Sequence, residues 1–107
     1  MESLNKVELV GMVGNVRADQ VGVSHAYTFS VATSYAYRGM DGTPVIETTW
    51  HNCYYMSRDE DERIKRGANL RIHGRIQKQK YIDITGKEGE IYRILVNRIE
   101  SIKKTVL

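Results

Sequence analysis

A chain of 107 residues has room for one modest hydrophobic core and is read as a single domain over residues 1–107. With 41% apolar and 27% charged residues it falls among ordinary soluble globular domains, and the lack of any apolar run of bilayer length excludes a membrane-crossing segment. The net charge of +3 is slight, but seven bases and no acid lie between Arg63 and Lys80, directly after the acidic run Asp59 to Glu62. Such segregation fits a surface that faces a polyanion and fits equally a solvated strand and helix end.

The first strand opens the chain: Val7, Leu9 and Val13 alternate with Lys6, Glu8, Val10 and Met12. Gly11 and Gly14 would let this strand bend, as a barrel strand must. A turn region is expected around RADQVGVSH, residues 17–25. The second strand is AYTFSVATSYAY, residues 26–37, rich in aromatic, β-branched and small residues. RGMDGTP follows as a loop, and VIETTWHNCYYM, residues 45–56, is the third strand.

SRDEDERIKRG, residues 57–67, reads as a short helix. Ser57 is placed to cap it and Glu60 to complete a capping box. Acids fill its first turn, bases its last, and Gly67 stands at the stop. The fourth strand is NLRIHGRIQKQKYIDI, residues 69–84, with Leu70, Ile72 and Ile76 on one face and Arg71, His73, Arg75 and Gln77 on the other. TGKEG is a hairpin tip, and EIYRILVNRIESI, residues 90–102, is the fifth strand. This order predicts an all-β OB-fold, a five-stranded Greek-key barrel with a short helix between strands three and four. Another small barrel or a β-sandwich are the alternatives.

The segment ETTWHNCYY gathers the chain's only Trp, its only Cys and two of its seven Tyr. In a strand every second side chain shares a face. Trp50, Asn52, Tyr54 and Met56 form one set; His51, Cys53 and Tyr55 form the other. Cys and Tyr suit a core, whereas Trp, Asn and Tyr suit an amphipathic surface. Rings beside bases recur in YAYR, where Tyr35 and Tyr37 precede Arg38, and in QKQKY, where Tyr81 follows Lys78 and Lys80. Exposed rings flanked by bases form a platform on which unpaired bases stack, each contributing roughly 1–3 kcal/mol whatever its identity. Lys and Arg then displace counterions from the phosphates. The competing reading packs these rings in the core or at a subunit contact.

LNKVELVGMVGNV, FSVATSYAYR, ETTWHNCYY, RGANLRIHGRI and KYIDITGKEG resemble, in order and spacing, the bacterial single-stranded DNA-binding proteins. The resemblance runs from Leu4 to about Ile102. It implies an OB-fold that assembles into a homotetramer, with a dimer as the alternative, and wraps single-stranded DNA without sequence preference. The family's stacking aromatics fall on Tyr37, Trp50 and Tyr81. A further family aromatic, usually Phe, falls on Met56, which is soft enough to pack against a base; Tyr54 on the same face is placed to compensate. Lys6, Arg75 and Lys80 match the family's phosphate-binding bases, and Arg38 and Lys78 join them by charge and position. The resemblance puts His51 near a subunit contact. Family members continue into a flexible linker and an acidic tip that recruits replication and repair proteins. This chain stops at Leu107 without them, so either a shortened chain or a naturally tailless form is expected.

His25, His51, His73 and Cys53 show no metal-ligand spacing, and GMVGNV lacks the Lys-Ser/Thr of a phosphate loop. No nucleophile and base can be paired, so no catalysis and no cofactor are expected; the acidic run is read as a solvated cap. One Cys and a start without a secretory pattern point to a reducing, cytoplasmic setting. The expected function is non-enzymatic binding and protection of single-stranded DNA in replication, recombination and repair. Two rivals share the fold: a dimeric primosomal accessory protein that also binds a helicase, and a module for protein interaction alone. A cold-shock-like RNA-binding barrel lacks its short aromatic motifs.

Overall fold

The alternation seen in the sequence builds five long strands: β1 (Val7–Val21), β2 (Ser24–Arg38), β3 (Pro44–Ser57), β4 (Asn69–Ile82) and β5 (Glu88–Ser101). The structure is a computed structural model and describes residues 2–103. The strands close into a barrel in the order β1-β2-β3-β5-β4. All pairs are antiparallel except β3 with β5, which run parallel and meet at Cys53↔Ile94 and Tyr54↔Leu95. Closure leaves β4 bonded to both β1 and β5 and removes the open sheet edges that invite aggregation.

One side chain in two points inward. Val13, Val31, Cys53, Leu70 and Ile72 are fully buried, joined by Tyr27, Phe29, Ile94, Val96 and Ile99. Burial pushes the Cys53 thiol up to about 12, so it stays a neutral apolar filler. In β1 a bulge sets Gly14 and Asn15 opposite Ser30 alone, between the pairs Val13↔Val31 and Val16↔Phe29. The Asn15 N–H, freed from the ladder, donates to Ser30 Oγ at 3.0 Å. The bulge bends the strand around the barrel.

Three expectations of local structure are corrected. Residues 17–21 are not a turn: β1 continues to Val21, and Gly22 at φ 61° with Val23 makes the tight reversal into β2. Only a residue tolerant of positive φ serves there. Ile76 lies on the core-facing side of β4, as expected, yet is 47% exposed, because β4 and β5 outrun the barrel and form a projecting arm. The third correction is the helix.

Among the described residues there is no helix; residues 58–68 form an irregular loop. Ser57, expected to cap the helix, is instead paired with His25 at the end of β3. The Asp61 carboxylate accepts hydrogen bonds from the Arg63 backbone N–H at 3.0 Å and from Arg63 Nε and Nη2 at 2.9 and 2.7 Å. This local capture of a backbone donor competes with helix formation, and so short a segment has no margin to nucleate one. Tertiary anchors finish the loop. The Asp61 N–H donates to the Tyr27 hydroxyl at 2.7 Å, Arg63 Nη1 donates to the Ile99 carbonyl, and Ile64, 5% exposed, inserts into the core. The Arg63 hydrogen bonds hold the Asp61 carboxyl below the usual range. Its contribution to stability is therefore present at neutral pH and fades as pH falls through the carboxylate range. Residues 104–107, part of the segment read as tailless, lie outside the described residues.

Candidate nucleic-acid interface

Trp50, Asn52, Tyr54 and Met56 occupy the face of β3 turned away from Cys53 and Tyr55. Trp50 is 56% and Met56 48% exposed; Tyr54 is half-buried. The parallel pairing of β3 with β5 sets this row beside the outward side chains of β5, Ile91, Arg93 and Leu95. The antiparallel pairing of β5 with β4 adds Arg75, Gln77 and Tyr81. Tyr81 is 50% exposed. Rings and guanidinium groups from three strands thus share one outer surface.

Two of the rings are seated over glycine. A Cβ on Gly14 would lie 2.5 Å from Cζ3 of Trp50 and 2.7 Å from Ser30 Oγ, so the indole covers the space that glycine leaves. A Cβ on Gly89 would lie 2.4 Å from Cζ of Tyr81, its cross-strand partner. Both rings lie against backbone and keep a face open. Trp50 is the only tryptophan, which makes its emission a clean probe. Gly14→Ala is expected to displace the indole and shift its emission maximum, at a stability cost of about 1–2 kcal/mol. An unchanged spectrum would show that the ring is not seated there.

The electrostatics of this surface are one-sided. The Arg93 guanidinium lies 4.5 Å from the centroid of the Tyr54 ring, and its Nε donates to Gln77 Oε1 at 3.0 Å. Cation–π and amide contacts hold the group flat while leaving its other donors available. The outward positions of β3, β4 and β5 around these rings carry no acid. Glu88 and Glu90 point to the opposite face of the β4–β5 arm, where Glu90 meets Lys78 at 3.4 Å and where Lys80 also lies, paired across the ladder with Glu90. Further along the barrel the charges compensate each other: Arg71 pairs with Glu8, and Arg98 with Glu100 at 2.7 Å.

The structure brings together Trp50, Tyr54, Met56, Arg75 and Tyr81, and separates others. Alternation along β2 puts Tyr37 on the face opposite Trp50, because Ala32 is the partner of Trp50. There Tyr37 and Tyr35 lie with ring centroids 6.0 Å apart. Arg38 donates to the Gly42 carbonyl at 3.1 Å in the β2–β3 tip. Lys6 precedes β1 and is exposed. His51 is half-buried, with Nε2 2.8 Å from Thr33 Oγ1. Sequence reasoning passed over Arg93 and Tyr92. Arg93 stands in a strand whose partner was unknown; Tyr92, next to it, carried the ring-beside-base pattern noted elsewhere. Among the described residues no group of His, Cys, Asp or Glu is placed to hold a metal ion, and no helix is long and apolar enough to cross a membrane.

A family model described as the single-strand binding protein family matches residues 4–102. The chain belongs to the single-strand binding protein family. Its relatives include a single-stranded DNA-binding protein of Neisseria meningitidis serogroup A, 34% identical over 106 residues, which cover 94% of this chain and 60% of the relative. Another, from Bacteroides thetaiotaomicron, is 33% identical over 108 residues, covering 94% of this chain and 66% of that protein. The chain thus spans about 60% of the length of the Neisseria relative. Among solved structures, the Plasmodium falciparum SSB complex with ssDNA superposes with a TM-score of 0.81 at 22% identity, over 96% of this chain and 98% of that one. A deletion mutant of the single-stranded DNA binding protein from Thermus aquaticus gives 0.76 at 14% identity, over 94% and 51%. These likenesses establish the family's OB-fold barrel for this chain, in agreement with the strand order read from the sequence.

Proposed function

We propose that this protein binds single-stranded DNA without sequence preference and protects it during replication, recombination and repair. The observation that carries the reading is the acid-free outer surface that the half-exposed rings of Trp50 and Tyr81 share with Arg75 and Arg93. Flexible single strands offer both partners such a surface needs, flat bases for the rings and phosphates for the cations. Family membership supports the same ligand. Trp50, Tyr37, Tyr81, Tyr54 and Met56 receive bases; Lys6, Arg38, Arg75, Lys78 and Lys80 follow the phosphates. Because some of these lie on opposite faces of the β2–β3 hairpin and of the β4–β5 arm, the strand passes around the barrel instead of along one side. No step of this function requires bond chemistry, so the protein acts as a non-enzymatic binder in the cytoplasm.

The protein is further proposed to work as a homo-oligomer, a tetramer in the family's manner, with His51 near a subunit contact. In support, Val10 and Met12 leave apolar surface on the outer side of β1, 48% and 46% exposed. Fluorescence titration of Trp50 with dT oligomers of graded length, at two salt concentrations, tests the reading. Quenching with an affinity that falls steeply with salt is expected, and Lys80→Ala or Arg75→Ala should each lower the salt slope by about one. Absence of quenching and of salt-sensitive binding would refute it in favour of a protein-interaction module.

A further inference from the structure

β3 and β5 pair over two residues and then part. Where they diverge, a cleft of about 360 Å³ opens, walled by Trp50, His51 and Asn52 of β3, Tyr92, Arg93 and Ile94 of β5, and Ile76 of β4; the His51 ring is turned to Thr33, with Nε2 2.8 Å from Thr33 Oγ1. We propose that this cleft is a nucleobase site, in which an unpaired base is held between the Trp50 and Tyr92 walls with Arg93 at its edge. The inference rests on the single-stranded DNA reading and extends it to two residues, Tyr92 and Arg93, that neither the sequence motifs nor the family resemblance assigns.

Three observations favour a base as the occupant. First, the walls are apolar yet open to solvent: Tyr92 is 64%, Trp50 56% and Ile76 47% exposed. A ring or aliphatic wall so exposed contributes little to the core and leaves area for a flat ligand. Second, the polar groups at the cleft suit a base edge and its phosphate. Arg93 is braced by the Tyr54 ring and by Gln77, and among the described residues no carboxylate bridges it. Arg offers donors only, and Asn52 adds an amide that donates and accepts. Third, no carboxylate is among the lining side chains, so the cleft carries net positive charge. A second copy of this chain whose own cleft lay over this one, with the twofold axis through the pair, would bring two Arg93 groups toward each other. A nucleotide brings the opposite charge.

The experiment compares parent, Tyr92→Ala and Tyr92→Phe in binding to a dT oligomer, with light scattering on each. It adds photo-crosslinking of the parent to the same oligomer carrying 5-iodouracil, with adducts mapped by mass spectrometry. Tyr92→Ala is expected to weaken binding roughly tenfold, and Tyr92→Phe to stay within about twofold of the parent, because the ring and not the hydroxyl is used. An adduct on Tyr92 is expected. The inference is overturned if Tyr92→Ala binds as the parent does, or if adducts form on Trp50 and Tyr81 but none on residues 91–94. It is equally overturned if Tyr92→Ala lowers the oligomer mass while keeping its affinity, since a second copy then covers the cleft. In each of these cases the parent still binds dT and the functional reading stands. A parent that leaves dT unbound refutes the functional reading itself.

Discussion

Trp50→Ala is expected to lower affinity for a dT oligomer roughly ten- to a hundredfold, the loss of a principal stacking surface. The substitution removes the protein's only tryptophan, so binding is read from the anisotropy of a labelled oligomer. The fold should survive. Trp50 is 56% exposed and lies over Gly14 and Ser30 at the surface, outside the buried cluster that fills the barrel. Thermal melting close to that of the parent is therefore expected beside the binding loss. Trp50→Phe keeps a smaller ring over Gly14 and should recover much of the affinity. The position also borders the β3–β5 cleft, so its loss removes a wall of the proposed base site as well as a stacking face. Unchanged affinity in Trp50→Ala would remove the indole from the DNA path and leave the rings of Tyr81 and Tyr37 to explain any binding.

The parity of β3 was legible because period-two alternation is a local property: Cys53 and Tyr55 face the core and Trp50 faces solvent with no knowledge of neighbouring strands. The same local rule separates Tyr81 from Lys78 and Lys80, although the run of bases reads at first as one patch. What could not be read was anything set by register between distant strands. Tyr37 and Trp50 lie on opposite faces only because the long β2–β3 hairpin pairs Ala32 with Trp50. Arg93 reaches Tyr54 only because β5 runs parallel to β3. The loop at 58–68 failed for a different reason. Its capping pattern is genuine as a local signal, but Asp61 spends its acceptors on Arg63, and Tyr27 and Ile99 bond the loop to the barrel. Anchors remote in sequence overrode a weak local preference. Exposure of Ile76 was hidden similarly, since the length of the barrel, and not the pattern of β4, decides where its inner face meets water.

That last residue sets up the second large effect. Ile72→Ala is expected to destabilise the fold by about 2–5 kcal/mol, read as a fall in Tm of roughly 10–20 °C at fixed protein concentration. Ile72 is 0% exposed and sits in the strand that closes the barrel, opposite Leu9 of β1 on one side and Ile99 of β5 on the other. Truncation there leaves a cavity bounded by three strands whose backbones are tied into the ladder, so little collapse can fill it. Ile76→Ala is the matched control: the same residue type, strand and face, one barrel wall further out. At 47% exposure it should cost under about 1 kcal/mol in stability. Its effect should appear in dT affinity instead, because its side chain walls the β3–β5 cleft. If Ile76→Ala proved as destabilising as Ile72→Ala, the cleft would have to be part of the packed core, and a base could not enter it. If the two effects separate, one strand supplies both the closure of the barrel and a wall of its binding surface. The change of role then falls where β4 leaves the core, between Gly74 and Ile76, in a run of inward positions that sequence alone presents as continuous.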